Sequence, residues 1–201
     1  MPSVAATKYY NRLDDLDHLR SLAIDARLRP ISRKQKQVYL HSYLAATVAS
    51  WDSYVKAIVT EYCIIIANPL DIKYHSVQTL LQNYIKGKLE KFNTPNFENT
   101  RNLLIESTGY DPLPDWIWQH RNFTSLQTRQ RLNEILKVRH SFAHGFDMPL
   151  FAWNQNNSGR ARLTMSVVDD VRMFLCFLVD ITDRKISNHL NTIYNANVNW
   201  Y

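Results

Sequence analysis

Three observations predict an all-α helical bundle of about six to seven helices. Apolar residues recur at helical spacing over long runs, the chain of 201 residues holds only four glycines, and strong helix formers (Leu, Ala, Gln, Lys, Arg) are plentiful. A turn-dense β fold would need more glycine and shorter, alternating runs. The chain is long enough to bury one good core and reads as a single domain over 1–201, in which 1–32 form an N-terminal helix and basic turn and 195–201 a loose tail.

The elements follow in order. Tyr10 to Arg27 carries apolar and charged residues at helical spacing, and Pro30 breaks the chain within a basic turn. From Arg33 to Ala67 the stripe Leu44, Val48, Trp51, Val55, Ile58, Tyr62, Ile65 steps 4-3-4-3-4-3, the seam of a helix packed along its length against another. Asn68-Pro69 ends it. A third helix, from about Ile72 to Lys91, carries Val77, Leu80, Leu81, Tyr84 and Ile85. Thr94 is expected as the N-cap, and Pro95 as the first residue, of a short helix ending near Gly109. Pro112, Pro114, Trp116 and Trp118 mark a packing loop. Next comes a helix from about Ser125 to His144, then an Asn-rich loop over 146–162. The final helix opens with the capping-box-like Ser166-Val167-Val168-Asp169 and runs to about Tyr194. It is expected to bury Val167, Val171, Phe174, Leu178 and Ile181.

Composition narrows the function. The net charge is +6, and the basic residues cluster: Arg27, Arg29, Arg33, Lys34 and Lys36; Lys86, Lys88 and Lys91; Arg121, Arg129 and Arg131. Each cluster alone reads as a solvated face, but together they lean toward an acidic polymer, of which nucleic acid is the commonest. The start, Met1 to Thr7, lacks a charged segment leading into an apolar one, and Cys63-Ile64-Ile65-Ile66-Ala67 is too short to span a bilayer. Cys63 and Cys176 read as buried thiols of a reduced, cytoplasmic protein rather than as a disulfide.

The stretch Lys137-Val138-Arg139-His140-Ser141-Phe142-Ala143-His144-Gly145 carries the chemistry. On a helical wheel Leu132, Ile135, Leu136, Phe142 and Ala143 define an apolar face, and Arg139 falls near its middle. A guanidinium there is costly unless something pairs with it. His140 and His144 sit one turn apart on the flank, so an anion-seeking fork lies beside two groups that titrate near neutrality. The ordinary reading is a helix end: basic residues meet the negative end of the dipole, and Gly145 supplies a left-handed residue. That explains Lys137, His140 and His144, but not Arg139.

Three stretches resemble the HEPN superfamily, and within it the RiboL-PSP-HEPN-like branch. Arg139-His140-Ser141-Phe142-Ala143-His144-Gly145 matches the R-x4-6-H signature with its trailing Ala-His-Gly. Ala49-Ser50-Trp51-Asp52-Ser53-Tyr54-Val55 is similar to the tryptophan-acidic-aromatic patch of the long early helix. Phe92-Asn93-Thr94-Pro95-Asn96 resembles the turn before the short helix. The match covers about Tyr39 to Tyr194. It implies a helical, dimeric domain and, in active members, a metal-independent endoribonuclease without cofactor, many of them toxins or phage-defence effectors. The implied partners are RNA, a second copy, and an antitoxin or sensor protein. His140 stands where the family has a polar residue, often Asn and also His or Asp.

Metal-independent RNA cleavage needs a group that moves the 2′ proton and a cation for the charged phosphorane. His144 fits the first role, Arg139 the second, and His140 the orientation of substrate or of a partner side chain. On a regular helix Arg139 and His144 point about 140° apart, so either the helix unwinds before Gly145 or a second copy supplies the missing half. Two other readings stand beside this one. A metal could bridge His140 and His144 at their i, i+4 spacing, but Ser141 stands where HExxH has its Glu and a third ligand is missing. A catalytically inactive module could hold nucleic acid or a nucleotide in the same basic cleft. A structural helical adaptor, with Trp51, Trp116 and Trp118 as packing residues, is a further reading.

Overall fold

A computed structural model describes residues 1–22, 32–67 and 74–200, with the backbone alone at Arg33. Among these residues are six α-helices: α1 (Val4–Leu22), α2 (Arg33–Ile66), α3 (His75–Lys91), α4 (Phe97–Thr108), α5 (Ser125–Ala143) and α6 (Met165–Tyr194), with a 3-10 turn at Gln119–Arg121. Extended pairing among the described residues is limited to the isolated bridges Trp118–Phe123 and Gln155–Ala161. The all-α expectation holds. The basic turn with Arg27, Arg29 and Pro30, the Asn68-Pro69 stop and the expected start of α3 at Ile72 lie outside the described residues.

The 34-residue α2 is the spine, on the order of 50 Å long. Its predicted stripe is buried from Leu44 to Tyr62, with Ile65 half-buried. The buried surface is wider than that stripe, because Leu40, Tyr43, Thr47, Tyr54 and Val59 are also enclosed. The reason is packing on more than one side: α1, α4, α5 and α6 all lie against α2. A capping box starts it: Ser32 accepts from the Gln35 N–H, and the Gln35 side chain accepts from the Ser32 N–H.

Helix α1 begins earlier than Tyr10, and two distant carboxylates explain why. Its first N–H groups have no partner within the helix. Glu61 accepts from Val4 and Ala5, Ser3 Oγ from Ala6, and the fully buried Asp183 from the Ser3 N–H at 2.8 Å and from its hydroxyl. Tyr54 also donates to Asp183 at 3.3 Å. Ala5, Ala6, Tyr9 and Leu13 thereby enter the core. Burial pushes the Asp183 carboxyl above its ordinary range, and the bonds from Ser3 and Tyr54 offset part of the effect. The folded chain thus holds this proton more tightly than the unfolded chain does. Its contribution to stability is largest below the unfolded carboxylate range and declines as pH rises through the folded value.

Several boundaries depart from expectation. The N-cap of α4 is Asn96, not Thr94: its side chain accepts from Asn99 N–H at 2.8 Å, while the Pro95 carbonyl is taken by Trp51 Nε1 at 3.2 Å. Thr164, not the Ser166 segment, caps α6 by accepting from Val167 N–H. Val167 and Ile181 are only half-buried, and the core face of α6 includes Val168, Leu175, Val179, Ile186 and Leu190. The stripe of α3 is exposed at Val77, Leu80, Leu81 and Tyr84, and Ile85 alone is buried. The residues after α6 are not loose either. Val198 and Asn191 exchange two hydrogen bonds, Ser187 donates to the Val198 carbonyl, and Trp200 N–H donates to Ser187, folding 195–200 back on α6.

Replacing Asp183 by Ala leaves the Ser3 N–H buried without an acceptor. The variant is expected to lose roughly 1–3 kcal/mol of unfolding free energy at neutral pH, read by denaturant titration, and to fray α1 first.

Candidate functional site at the end of the fifth helix

Helix α5 is started by a capping box, in which Thr124 accepts from Gln127 N–H and Gln127 accepts from Thr124 N–H. It ends in a Schellman motif. His144 is the C-cap, Gly145 follows at φ 70°, Phe146 N–H reaches the Ser141 carbonyl at 2.8 Å, and Gly145 N–H reaches that of Phe142 at 3.4 Å. Here the glycine is needed for its backbone: the left-handed φ turns the chain away immediately after His144. The helix therefore stays regular through Ala143, and no unwinding brings Arg139 and His144 together.

The motif side chains divide into two groups. The imidazoles of His140 and His144 lie together, ring centroids 4.1 Å apart at 41°. Phe146 stacks on His144 at 5.9 Å and approaches His140 at 6.2 Å. Arg139 points elsewhere around the helix, as the wheel requires. Both histidines are exposed and Arg139 is half-buried. No third histidine, cysteine or carboxylate among the described residues joins the two imidazoles in a cluster able to hold a metal ion.

Arg139 is distinguished by what it lacks. Arg20 pairs with Asp169, Arg101 with Asp111, Arg121 and Arg131 with Asp170, Arg129 with Glu98, and Arg172 with Asp17. Among the described arginines that are buried or half-buried, Arg139 alone has no carboxylate within ion-pair reach. The sequence-based reading of the apolar face is corrected in one respect. The enclosed arginine is Arg131, 4% exposed, held by Asp170 at 2.7 Å and lying over the Trp153 ring at 4.0 Å. Burial lowers its pKa, with Asp170 and Glu134 acting in the opposite sense. Phe142 and Ala143, assigned to the buried face, are exposed, because the covered face at the end of α5 is carried by Val138 and Ser141. Of the basic cluster Arg121, Arg129 and Arg131, each member is committed to a carboxylate and does not form a free cationic face.

The other two resembling stretches support the same end of the bundle. Trp51 is fully buried, stacks on Tyr54 and holds the Pro95 carbonyl; Asp52 accepts from Lys56, which sits over Phe92. The turn so held leads into Asn96 and Phe97, whose N–H donates to Asn133 of α5 at 2.9 Å. Between this turn and α5 lies a groove of about 520 Å³, lined by Thr94, Asn96, Glu98, Asn133, Leu136, Lys137, His140, Ser141, Phe146, Asp147 and Pro149. After the motif, Trp153 donates to Glu134 at 3.0 Å and Asn154 closes a turn over 149–154, so the loop is fastened back onto α5.

One residue was not singled out from sequence. His41 of α2 stacks on Phe142, rings 4.5 Å apart and nearly parallel at 7°, with its Nδ1 buried and without a hydrogen-bond partner. Spacing could not reveal it, because the contact spans about a hundred residues. Burial lowers its pKa.

The comparisons with known proteins bear on this geometry. The family model described as RiboL-PSP-HEPN matches residues 7–188, so it includes most of α1 as well as the stretches above. Neither the curated proteins nor the solved structures yielded a match. No described helix is long and apolar enough to cross a membrane.

The His41 environment carries a pH test. A histidine whose folded pKa lies below its unfolded value stabilises the fold above the unfolded value of roughly 6.5, and that contribution is lost as pH falls. Thermal denaturation from pH 8 to pH 5 should show a falling Tm, and a smaller fall in His41→Phe, which keeps the ring stack and removes the proton.

Proposed function

The chain belongs to the RiboL-PSP-HEPN family, and from that premise we propose that it is a metal-independent endoribonuclease acting on single-stranded RNA. Membership itself points to a nuclease or nucleotide-related module. The observation that carries the finer reading is Arg139: a half-buried guanidinium without a carboxylate among the described residues, on the same helix end as two touching imidazoles. A forked cation left free beside acid–base groups suits a phosphodiester.

In the proposed reaction His144 takes the proton of the 2′-hydroxyl as its oxygen bonds to phosphorus. Arg139 grips two phosphate oxygens while negative charge builds on them. The bond from phosphorus to the 5′ oxygen then breaks, and the proton held on His144 passes to that departing oxygen. The products are a 2′,3′-cyclic phosphate and a 5′-hydroxyl. His140 orients the substrate. Because α5 stays helical through Ala143, one copy does not aim both groups at one phosphate, and the reading requires a symmetric homodimer with this helix end near the two-fold axis. The exposed apolar residues Phe142, Ala143 and Leu150 around the motif supply surface for that contact. A role as a toxin or phage-defence effector in the cytoplasm, with an antitoxin or sensor protein as partner, is the biological setting we infer from the family.

The test is purified protein on labelled RNA with EDTA present, the product ends analysed for cyclic phosphate. His144→Ala should lose roughly 10²–10⁴ in rate, the span for a general acid or base. Arg139→Ala should fall comparably, with Arg139→Lys only partly recovering, since lysine is a point charge without the fork. Full activity in His144→Ala would remove the mechanism. RNA affinity without turnover would favour the second reading, a catalytically inactive nucleic-acid- or nucleotide-binding module.

A further inference from the structure

We propose that the groove beside His140 is a base-recognition subsite, built to hold guanine next to the cleaved bond. The inference rests on the ribonuclease reading for its setting, and on the groove's own chemistry for its content. At about 520 Å³ it has room for one nucleobase with part of its ribose. Its walls combine an apolar floor at Leu136 and Pro149 with Phe146, an aromatic ring 66% exposed at the rim. Base recognition in single strands uses such a ring as a stacking face, with polar groups reading the base edge. Phe146 also stacks on His144, so a base lying on it would be held directly against the motif.

The charges favour a base here and disfavour a phosphate. Glu98 and Asp147 line the groove, against the cations Lys137 and, when protonated, His140. Two carboxylates repel a phosphodiester but accept hydrogen bonds from a base. Their availability differs. Glu98 is tied to Arg129 and to Asn133, and Asn133 spends its own oxygen on Phe97 N–H. Asp147 has no ion-pair or hydrogen-bond partner among the described residues. The Asn96 oxygen is used as the α4 cap, which leaves its amide N–H groups to donate, and Lys137 likewise has no carboxylate partner there. Beside the His140 ring, the free groups are thus one carboxylate acceptor and two donors. Guanine presents the complement, two adjacent N–H donors beside a carbonyl. Uracil presents one N–H between two carbonyls, which a carboxylate opposes.

The experiment uses the full-length protein and 2′-O-methyl trinucleotides carrying a central G, A, C or U, which lack the attacking hydroxyl and so report binding without cleavage. Fluorescence anisotropy should show the G trinucleotide bound roughly tenfold or more tighter than the U trinucleotide, the discrimination a good edge contact provides. Asp147→Asn should erase that preference, and Phe146→Leu should weaken all four trinucleotides together. Light scattering on both variants checks that assembly is unchanged. If either variant fails to assemble, Lys137→Gln replaces it, with the G preference again expected to fall. In parallel, cleavage sites on a random-sequence RNA should cluster beside G in the wild type. Guanine-selective binding without cleavage would sustain the subsite and remove the ribonuclease reading. Cleavage with equal binding of all four trinucleotides, unchanged by Asp147→Asn, would overturn the subsite and leave the ribonuclease reading standing.

Discussion

Midway along α2, Trp51 is enclosed by Tyr54, Trp116 and the turn whose Pro95 carbonyl it holds. A buried indole N–H must find an acceptor, and a buried carbonyl must find a donor. This single bond satisfies both, and in doing so sets where α4 begins. Trp116, packed on the other side, donates to Thr182 of α6 at 3.0 Å, and Phe97 closes the same cluster edge-on. The first residue of α4 then hands its N–H to Asn133, which fixes the height of α5 relative to α2. The motif is two turns further along α5. Its position at the edge of the bundle, half-covered and next to a groove, follows from that chain of contacts.

Charge placement separates the arginines built into the scaffold from Arg139, which is half-buried without a carboxylate partner among the described residues. Arg131 and Arg139 lie within about 80° of each other on the same helix. Arg131 is enclosed because Asp170 and Trp153 meet it, whereas Arg139 stays half-buried and without a carboxylate partner among the described residues, the covered face at that level being carried by Val138 and Ser141. Truncating one partner of a buried pair strands the other, so the Arg131–Asp170 pair reads as part of the scaffold. A cation with no such obligation can spend its hydrogen bonds on a ligand. The same accounting turns the apparent basic surface at Arg121, Arg129 and Arg131 into scaffold.

Most of the architecture is legible in the sequence, since α2, α5 and α6 carry long periodic stripes. What the pattern hides is depth along a helix and partners far away in the chain. A helical wheel assigns Arg139, Phe142 and Ala143 to a face but cannot show that the covered face turns toward Val138 and Ser141 at the end of α5. The early start of α1 depends on Glu61 and Asp183, and the ordering of 195–200 depends on Asn191 and Ser187, none of which spacing reveals. The stripe of α3 is periodic yet uncovered among the described residues, so periodicity there signals amphipathicity without burial. At the site, His140 and His144 are together as their i, i+4 spacing requires, whereas His41 and Asn96 belong to the region only through tertiary contact.

A helix that remains regular to its Schellman end leaves Arg139 and His144 facing apart, and the proposed two-fold axis is the simplest operation that would reunite them. The central claim is therefore that Arg139 of one copy works with His144 of the other. Mixing the inactive Arg139→Ala and His144→Ala proteins after mild unfolding and refolding tests it most directly. Half of the dimers formed at equal ratio carry one intact pair out of two, so cleavage should recover to about a quarter of the wild-type rate. A mixture no more active than either variant alone would contradict the shared site.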